Sequence, residues 1–198
     1  MSLYSQDTLR KSRSDYRKNE EIIFDNKRYR IHNNYVTLGG GISLSSIRHA
    51  QQRTAGADFQ FHLREHNFQA GVLLSGFQFF ANNHLQAHLG YGYRKEANTY
   101  NLAFFGGPSY YQGVEGLAGQ PERFYGGFGL YACAQAIHKI TYDIGAGFEL
   151  FADAGFSTGK SGREQILYGV KLIVFFSGSY RGPKRNYNPN VRSENPNG

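Results

Sequence analysis

The chain has one cysteine, one methionine and no tryptophan among 198 residues. A lone Cys133 cannot close an internal disulfide, which excludes a disulfide-stapled fold and leaves the redox compartment undetermined. No run of about 18 uninterrupted apolar residues occurs, so no transmembrane helix is encoded. No G-x-x-x-x-G-K-[ST] sequence is present either. Gly39-Gly40-Gly41 lies inside a strand-like segment, where it marks a bend, a bulge or a close strand approach rather than a phosphate cradle.

What is abundant points the other way. Glycine (25), phenylalanine (16) and tyrosine (15) are over-supplied, a bias that favours strands and bends over helices. The length suits one folded unit with flanking segments. Mean hydropathy is low, at −0.54. That does not exclude a membrane barrel, in which only every second residue faces lipid.

Between Asn34 and Gly182 the periodicity is two almost throughout, in blocks long enough to cross a bilayer as tilted strands. In the second block Ala57, Phe59, Phe61 and Leu63 alternate with Asp58, Gln60, His62 and Arg64. In the fourth, Leu85, Ala87, Leu89, Tyr91 and Tyr93 alternate with His84, Gln86, His88, Gly90, Gly92 and Arg94. The remaining blocks run from Tyr35 to Ile47, Phe68 to Phe79, Tyr100 to Tyr111, Phe124 to Ile137, Ile140 to Phe156 and Gln165 to Tyr180. In the seventh, Tyr142, Ile144, Ala146, Phe148 and Leu150 oppose Asp143, Gly145, Gly147, Glu149 and Asp153. In the eighth, Tyr168, Val170, Leu172, Val174 and Phe176 oppose Gly169, Lys171 and Ser177, with Leu167, Ile173 and Phe175 blurring the polar side.

The connections carry a second signal, since membrane barrels have short turns on one side and longer loops on the other. Arg64 to Asn67, Arg94 to Asn98 and His138-Lys139 read as tight turns. Arg48 to Gly56, Gln112 to Arg123 and Ser157 to Glu164 read as long loops, and Ala81-Asn82-Asn83 breaks the trend. Tyr91, Tyr93, Tyr110, Tyr111, Tyr131, Tyr142 and Tyr180 are expected in aromatic girdles at the two interfaces.

With these features the chain resembles the small outer-membrane barrel families of Gram-negative bacteria, in texture most like those of the Bacteroidota. The resemblance covers roughly Tyr35 to Tyr180. It is sharpened by Gly169, Leu172, Val174 and Phe176, which look like the assembly signal of a last barrel strand, although Leu167 departs from its polar first position and the chain continues past the aromatic. The resemblance implies an all-β, eight-stranded antiparallel transmembrane β-barrel with flexible N- and C-terminal extensions, located in the cell outer membrane. The corresponding division is 1–5 as the remnant of a signal peptide, 6–33 as a periplasmic extension, 34–181 as the barrel and 182–198 as a disordered basic tail.

An eight-stranded barrel is wide enough only to be filled by its own side chains. The polar face supplies Asp58, Gln60, His62, Arg64, His84, Gln86, His88, Asp143, Glu149 and Lys171, charges of both signs that must pair if buried. A plugging polar network is therefore expected in the lumen. His84 and His88 are four strand positions apart, about 13 Å, too far to share one ion. No metal, cofactor or catalytic residue is expected. Ser45, Ser46 and His49 with Glu115 or Glu122 supply the residue types of a hydrolytic triad, but nothing fixes their spacing.

Charge collects at the ends. Residues 1–34 carry eight Lys/Arg against five Asp/Glu, and residues 181–198 four against one, while the whole chain is +7. Ile22 to Ile31 reads as two short strands about an Asp25-Asn26 turn. The Pro- and Asn-rich tail, with Lys184, Arg185, Tyr187 and Arg192, cannot bury a core and is expected to bind a partner. The expected function is a non-enzymatic anchor or docking subunit of an envelope assembly of the secretion or conjugation type. Its expected partners are outer-membrane lipid and a periplasmic protein or anionic cell-wall polymer, not nucleic acid. A lipid-modifying barrel enzyme and a soluble lipocalin-like barrel are the alternatives, because period two alone does not say which face is polar.

Overall fold

The computed structural model describes residues 21–24, 27–30, 33–46, 51–63, 66–76, 84–115, 123–157 and 165–183. The chain divides into two compact units. The smaller contains a three-stranded antiparallel sheet in the order β1 (Glu21–Phe24), β2 (Lys27–Arg30) and β11 (Tyr180–Pro183). Ile22 faces Tyr29 across the first pair, and Tyr29 faces Tyr180 across the second, their rings 5.8 Å apart. The hairpin expected before the barrel is thus a strand pair, while its Asp25-Asn26 turn lies outside the described residues.

The larger unit is a closed barrel of eight antiparallel strands. These are β3 (Tyr35–Ser45), β4 (Gln51–Leu63), β5 (His66–Ser75), β6 (His84–Glu96), β7 (Tyr100–Glu115), β8 (Arg123–Lys139), β9 (Ile144–Ser157) and β10 (Gln165–Ser177). Each strand pairs with its sequence neighbour, and β10 returns to β3 with Ser177 opposite Tyr35 and Leu167 opposite Ser45. Closure removes the unpaired edges that an open sheet would expose to lipid.

The polarity of the two faces distinguishes membrane from soluble barrel. Leu89 and Phe128 are each 61% exposed on the outside, in a belt shared with Leu38, Phe104, Leu130, Phe148, Leu150 and Leu172. Glu149 and Lys171 are fully buried inside. A soluble ligand-binding barrel has the reverse arrangement. An apolar exterior of this extent around an ionised interior is stable only in a bilayer.

Several boundaries differ from the pattern read in the sequence. β4 begins at Gln51, because Leu44 pairs with Gln51 and the ladder runs on through Ala55 and Gly56; the first loop is correspondingly short. β5 ends at Ser75, so the connection before His84 is longer than Ala81-Asn82-Asn83. β9 starts at Ile144 rather than Ile140. The intervening turn is closed by the Ile140 and Thr141 amides donating to the Ile144 carbonyl at 2.9 Å. The barrel ends at Ser177, short of residue 181, and Tyr180–Pro183 pairs with β2 instead of opening the tail. The tail residues Lys184, Arg185, Tyr187 and Arg192 lie outside the described residues. The triple glycine is a close strand approach: a Cβ on Gly41 would fall 1.9 Å from the Val170 carbonyl oxygen.

The tyrosines divide between the two faces. Tyr91, Tyr93 and Tyr110 face outward, but Tyr111 and Tyr131 are buried inside, because the parity of their positions matches the inward set and not the lipid-facing one. Tyr142 is buried too, in the turn before β9, with its ring against the Lys139 ammonium. Leu167, Ile173 and Phe175 also point inward. They join two apolar clusters, one with Leu73, Phe105 and Phe151, the other with Tyr35 and Ile137. The lumen is therefore filled partly by hydrocarbon, not by polar groups alone.

A closed sheet of this kind resists detergent. Folded protein should migrate faster than boiled protein on gels and fractionate with membranes; recovery as a detergent-free soluble monomer would contradict the barrel polarity described here.

Candidate functional site: the charged lumen

Sequence alternation carries the polar residues of β3, β4, β6, β8, β9 and β10 into one interior, and cross-strand register brings them level. Lys171 on β10 is directly opposite Glu149 on β9. Its Nζ lies 2.7 Å from Glu149 Oε1 and 3.3 Å from Asp58 Oδ2 on β4, and all three side chains are essentially fully buried. Asp58 Oδ1 lies 2.8 Å from His88 Nε2 on β6. The His88 ring stacks on Tyr131 with centroids 3.8 Å apart. The Tyr131 hydroxyl donates to Glu149 Oε1 at 3.0 Å, and Gln135 Nε2 donates to Glu149 Oε2 at 2.8 Å. Tyr35 in turn donates to Gln135 Oε1 at 3.0 Å.

The wall opposite this centre is thin by necessity. A Cβ on Gly71 would sit 2.0 Å from Asp58 Oδ1 and 2.7 Å from His88 Nε2. Only hydrogen at that position lets the Asp58–His88 pair form against the strand.

A second ionic cluster lies toward the tight-turn end, where β3 starts and β10 ends. Glu96 Oε2 pairs with Arg94 Nη2 at 2.7 Å and Glu96 Oε1 with Lys139 Nζ at 2.5 Å, with all three side chains buried. Arg94 also donates to the Asn33 carbonyl at 2.7 Å and to Asn101 Oδ1 at 3.2 Å, with its guanidinium 4.5 Å from the Tyr35 ring centroid. The Lys139 ammonium lies 3.6 Å from the Tyr142 ring centroid. Burial, reinforced by Glu96, pushes the Tyr142 phenol above its ordinary range, so in this turn it remains a neutral hydroxyl. Sequence reasoning placed Glu96 and Lys139 in turns and left Arg94 out of the network. Their parity was the available signal, since Glu96 continues the even positions His84 to Arg94 and Lys139 the odd positions of Gln135 and Ile137.

The expected network residues are not all together. Asp58, His88, Glu149 and Lys171 form the centre described above. Gln60 approaches it through the Thr37 hydroxyl at 3.2 Å. Gln86 and His84 lie toward the long-loop end, Gln86 donating to Asp153 Oδ2 at 3.0 Å and His84 meeting the Tyr125 hydroxyl at 3.3 Å. His62 is only half-buried, with Nδ1 3.1 Å from Asn67 Oδ1. Asp143 belongs to the turn before β9, not to the interior centre. It binds the Ser177 hydroxyl at 2.7 Å, the Ser179 amide at 2.9 Å and the Ser179 hydroxyl, pinning the end of β10. Arg64 lies outside the described residues.

His84 and His88 serve separate partners, and the described residues contain no group of three His, Cys, Asp or Glu side chains suited to a metal ion. Ser45 and Ser46 face the barrel seam. Ser45 Oγ accepts from Gln165 Nε2 at 3.5 Å and Ser46 Oγ from the Ile166 amide at 2.9 Å. His49 and Glu122 are outside the described residues.

The same architecture occurs in solved structures. Neisserial surface protein A (NspA) superposes with a TM-score of 0.61 at 10% identity, over 73% of this chain and 97% of that one. The fold is that of eight-stranded outer-membrane β-barrels. Ail, the attachment invasion locus protein of Yersinia pestis, gives 0.51 at 9% identity over 76% and 99% of the two chains. The N-terminal β-barrel domain of Pseudomonas aeruginosa OprF gives 0.50 at 10% identity over 73% and 98%. No protein-family model and no curated protein sequence matches the chain. At such identities the likeness concerns the fold alone, so the lumen contacts must be judged on their own chemistry.

That chemistry predicts a plug. Replacing Lys171 by Met leaves Asp58 and Glu149 buried without their cation and should destabilise the barrel by about 3–5 kcal/mol. Adding Glu149→Gln to Lys171→Met should recover part of the loss, both read by urea titration in lipid vesicles. Gly71→Val should likewise weaken folding by separating Asp58 from His88. Reconstituted wild-type barrel should show no conductance of the size of a large porin, which has a water-filled channel.

Proposed function

We propose that this protein is a non-enzymatic anchor in the cell outer membrane that docks an envelope assembly, of secretion or conjugation type in a Bacteroidota-like envelope, through its chain ends. The observation that carries this reading is how the barrel uses its residues. The exterior belt is committed to lipid, and the interior charges are committed to one another at Lys171, Asp58 and Glu149. Specific recognition is then left to the water-facing segments.

Two features favour the ends on the tight-turn side. Tyr35 and Ser177 are register partners, so the chain enters and leaves the barrel at one side. The segments beyond them fold into a separate sheet of β1, β2 and β11, a structure unnecessary for a barrel that only spans the membrane. The four basic residues and one acid of residues 181–198 add positive charge that an acidic surface on a periplasmic protein would complement. The Ser45 and Ser46 hydroxyls both make contacts across the β10–β3 seam.

Deletion of residues 184–198 should leave a folded, heat-modifiable barrel but abolish recovery of its periplasmic protein partner after crosslinking in native envelopes. In the full chain, that recovery should fall with rising salt. Binding of the tail to purified cell-wall polymer alone would replace a protein partner by an anionic polymer. Identical partners with and without the tail would refute docking through it and move the interaction to the β7–β8 hairpin, whose strands of 16 and 17 residues are the longest described.

A further inference from the structure

The acids of the lumen centre and of its long-loop half outnumber the bases. Asp58, Glu149 and Asp153 are all buried, against Lys171 as the one residue there that is always cationic among the described residues. Asp153 is not near it: Lys171 is opposite Glu149, and Asp153 lies four residues further along β9, about 13 Å away along the strand. Asp153 has no ion-pair partner among the described residues. Its Oδ2 accepts from Gln86 Nε2 at 3.0 Å and from the Ser109 hydroxyl, both neutral donors.

The groups around this carboxylate are rich in oxygen. Gln86 and Tyr111 are cross-strand partners on β6 and β7, and both are at least 99% buried. Gln86 Oε1 and the Tyr111 hydroxyl have no hydrogen-bond partner. Because the Gln86 nitrogen is already on Asp153, its amide oxygen is held within a few ångströms of the same carboxylate. Tyr111 reaches the same place over a wall of glycine. A Cβ on Gly155 would meet its hydroxyl at 2.9 Å, and one on Gly129, the register partner of Gly155, would meet Asp153 Oδ1 at 2.9 Å. The Tyr111 hydroxyl and Asp153 Oδ1 thus lie over two adjacent side-chain-free positions, and Gln86 is tied to the same carboxylate through its nitrogen.

Two imidazoles face this region. His88 is held on Asp58 and stacks on Tyr131, and the His84 ring lies beside those of Tyr111 and Tyr125, with centroids 5.8 and 6.1 Å away. Among the described residues, the three carboxylates of Asp58, Glu149 and Asp153 when ionised carry two more negative charges than Lys171 balances. Buried charge without a counter-charge is strongly unfavourable.

We propose that the long-loop half of the lumen binds a monovalent cation between Asp153 Oδ1, Gln86 Oε1 and the Tyr111 hydroxyl. A single carboxylate among neutral oxygens balances the charge of an alkali cation, whereas calcium sites bring several carboxylates. The ion supplies the charge that β10 does not provide at this depth.

The test uses the full chain in detergent at mildly alkaline pH, with Rb+ as the probe. Crystals grown in rubidium chloride should show an anomalous peak bounded by the three named oxygens. The temperature at which the folded gel band is lost should be several degrees higher in rubidium chloride than in choline chloride of equal ionic strength. Asp153→Asn should abolish that difference. Should this variant fail to fold, Gln86→Leu, which keeps the carboxylate, should shrink the difference instead. No anomalous peak at the site, or an equal rubidium effect in wild type and Asp153→Asn, would overturn the proposal.

Discussion

Everything in this molecule follows from the narrowness of a closed eight-stranded sheet. Half of each strand faces lipid and must be apolar; the other half faces an interior too small for bulk water, so whatever charge enters must find its counter-charge there. Lys171 between Asp58 and Glu149 is where this condition is met most fully. Its demands reach outward to positions with no chemistry of their own. Gly71 is bare because Asp58 and His88 occupy the place of its side chain, and Tyr131 and Gln135 are polar because Glu149 has lone pairs left to satisfy.

The interior is layered along the barrel axis. Toward the tight turns, Arg94 and Lys139 hold Glu96 against the rings of Tyr35 and Tyr142. In the middle lies the Lys171 centre, backed by the apolar cluster of Leu73, Phe105, Phe151 and Leu167. Toward the long loops, the hydroxyls of Ser43, Thr54 and Ser75 form a triangle with sides of 2.7, 3.3 and 2.7 Å. Ionic groups thus dominate one half, and hydroxyls and amides the other.

Most of the barrel was legible in the sequence because a membrane strand leaves a strict imprint: His84, Gln86 and His88 alternate with Leu85, Ala87 and Leu89, and the observed strand follows that alternation residue by residue. The imprint fades where one face is not sorted by polarity. Tyr111 and Tyr131 read as interfacial because tyrosine suits both a headgroup region and a hydrogen-bonded lumen, and only position parity separates the two; Tyr142 is buried by a turn that parity does not describe. The pairs were less legible than the positions. That Lys171 faces Glu149 follows from register, and register depends on turn lengths that were misjudged at Gln51, Ser75 and Ile144. Glu96 and Lys139 escaped notice because a charge next to a turn is ordinarily solvated.

The central ion pairs also dictate an order of events during assembly. Lys171 and Asp58 are 113 positions apart in the chain, and Tyr35 and Gln135 are 100 apart. Neighbouring strands can pair as local hairpins long before such contacts exist, since short loops close at little entropic cost. Asp58 gains its lysine only when the last strand meets the first, and until then it must remain hydrated. An unclosed sheet therefore carries wet charges that oppose full burial, and shedding that water coincides with zipping of the seam. The charged core thereby acts as a commitment step: a barrel missing its final strand has no means of becoming dry inside, so partial products remain distinguishable from finished ones.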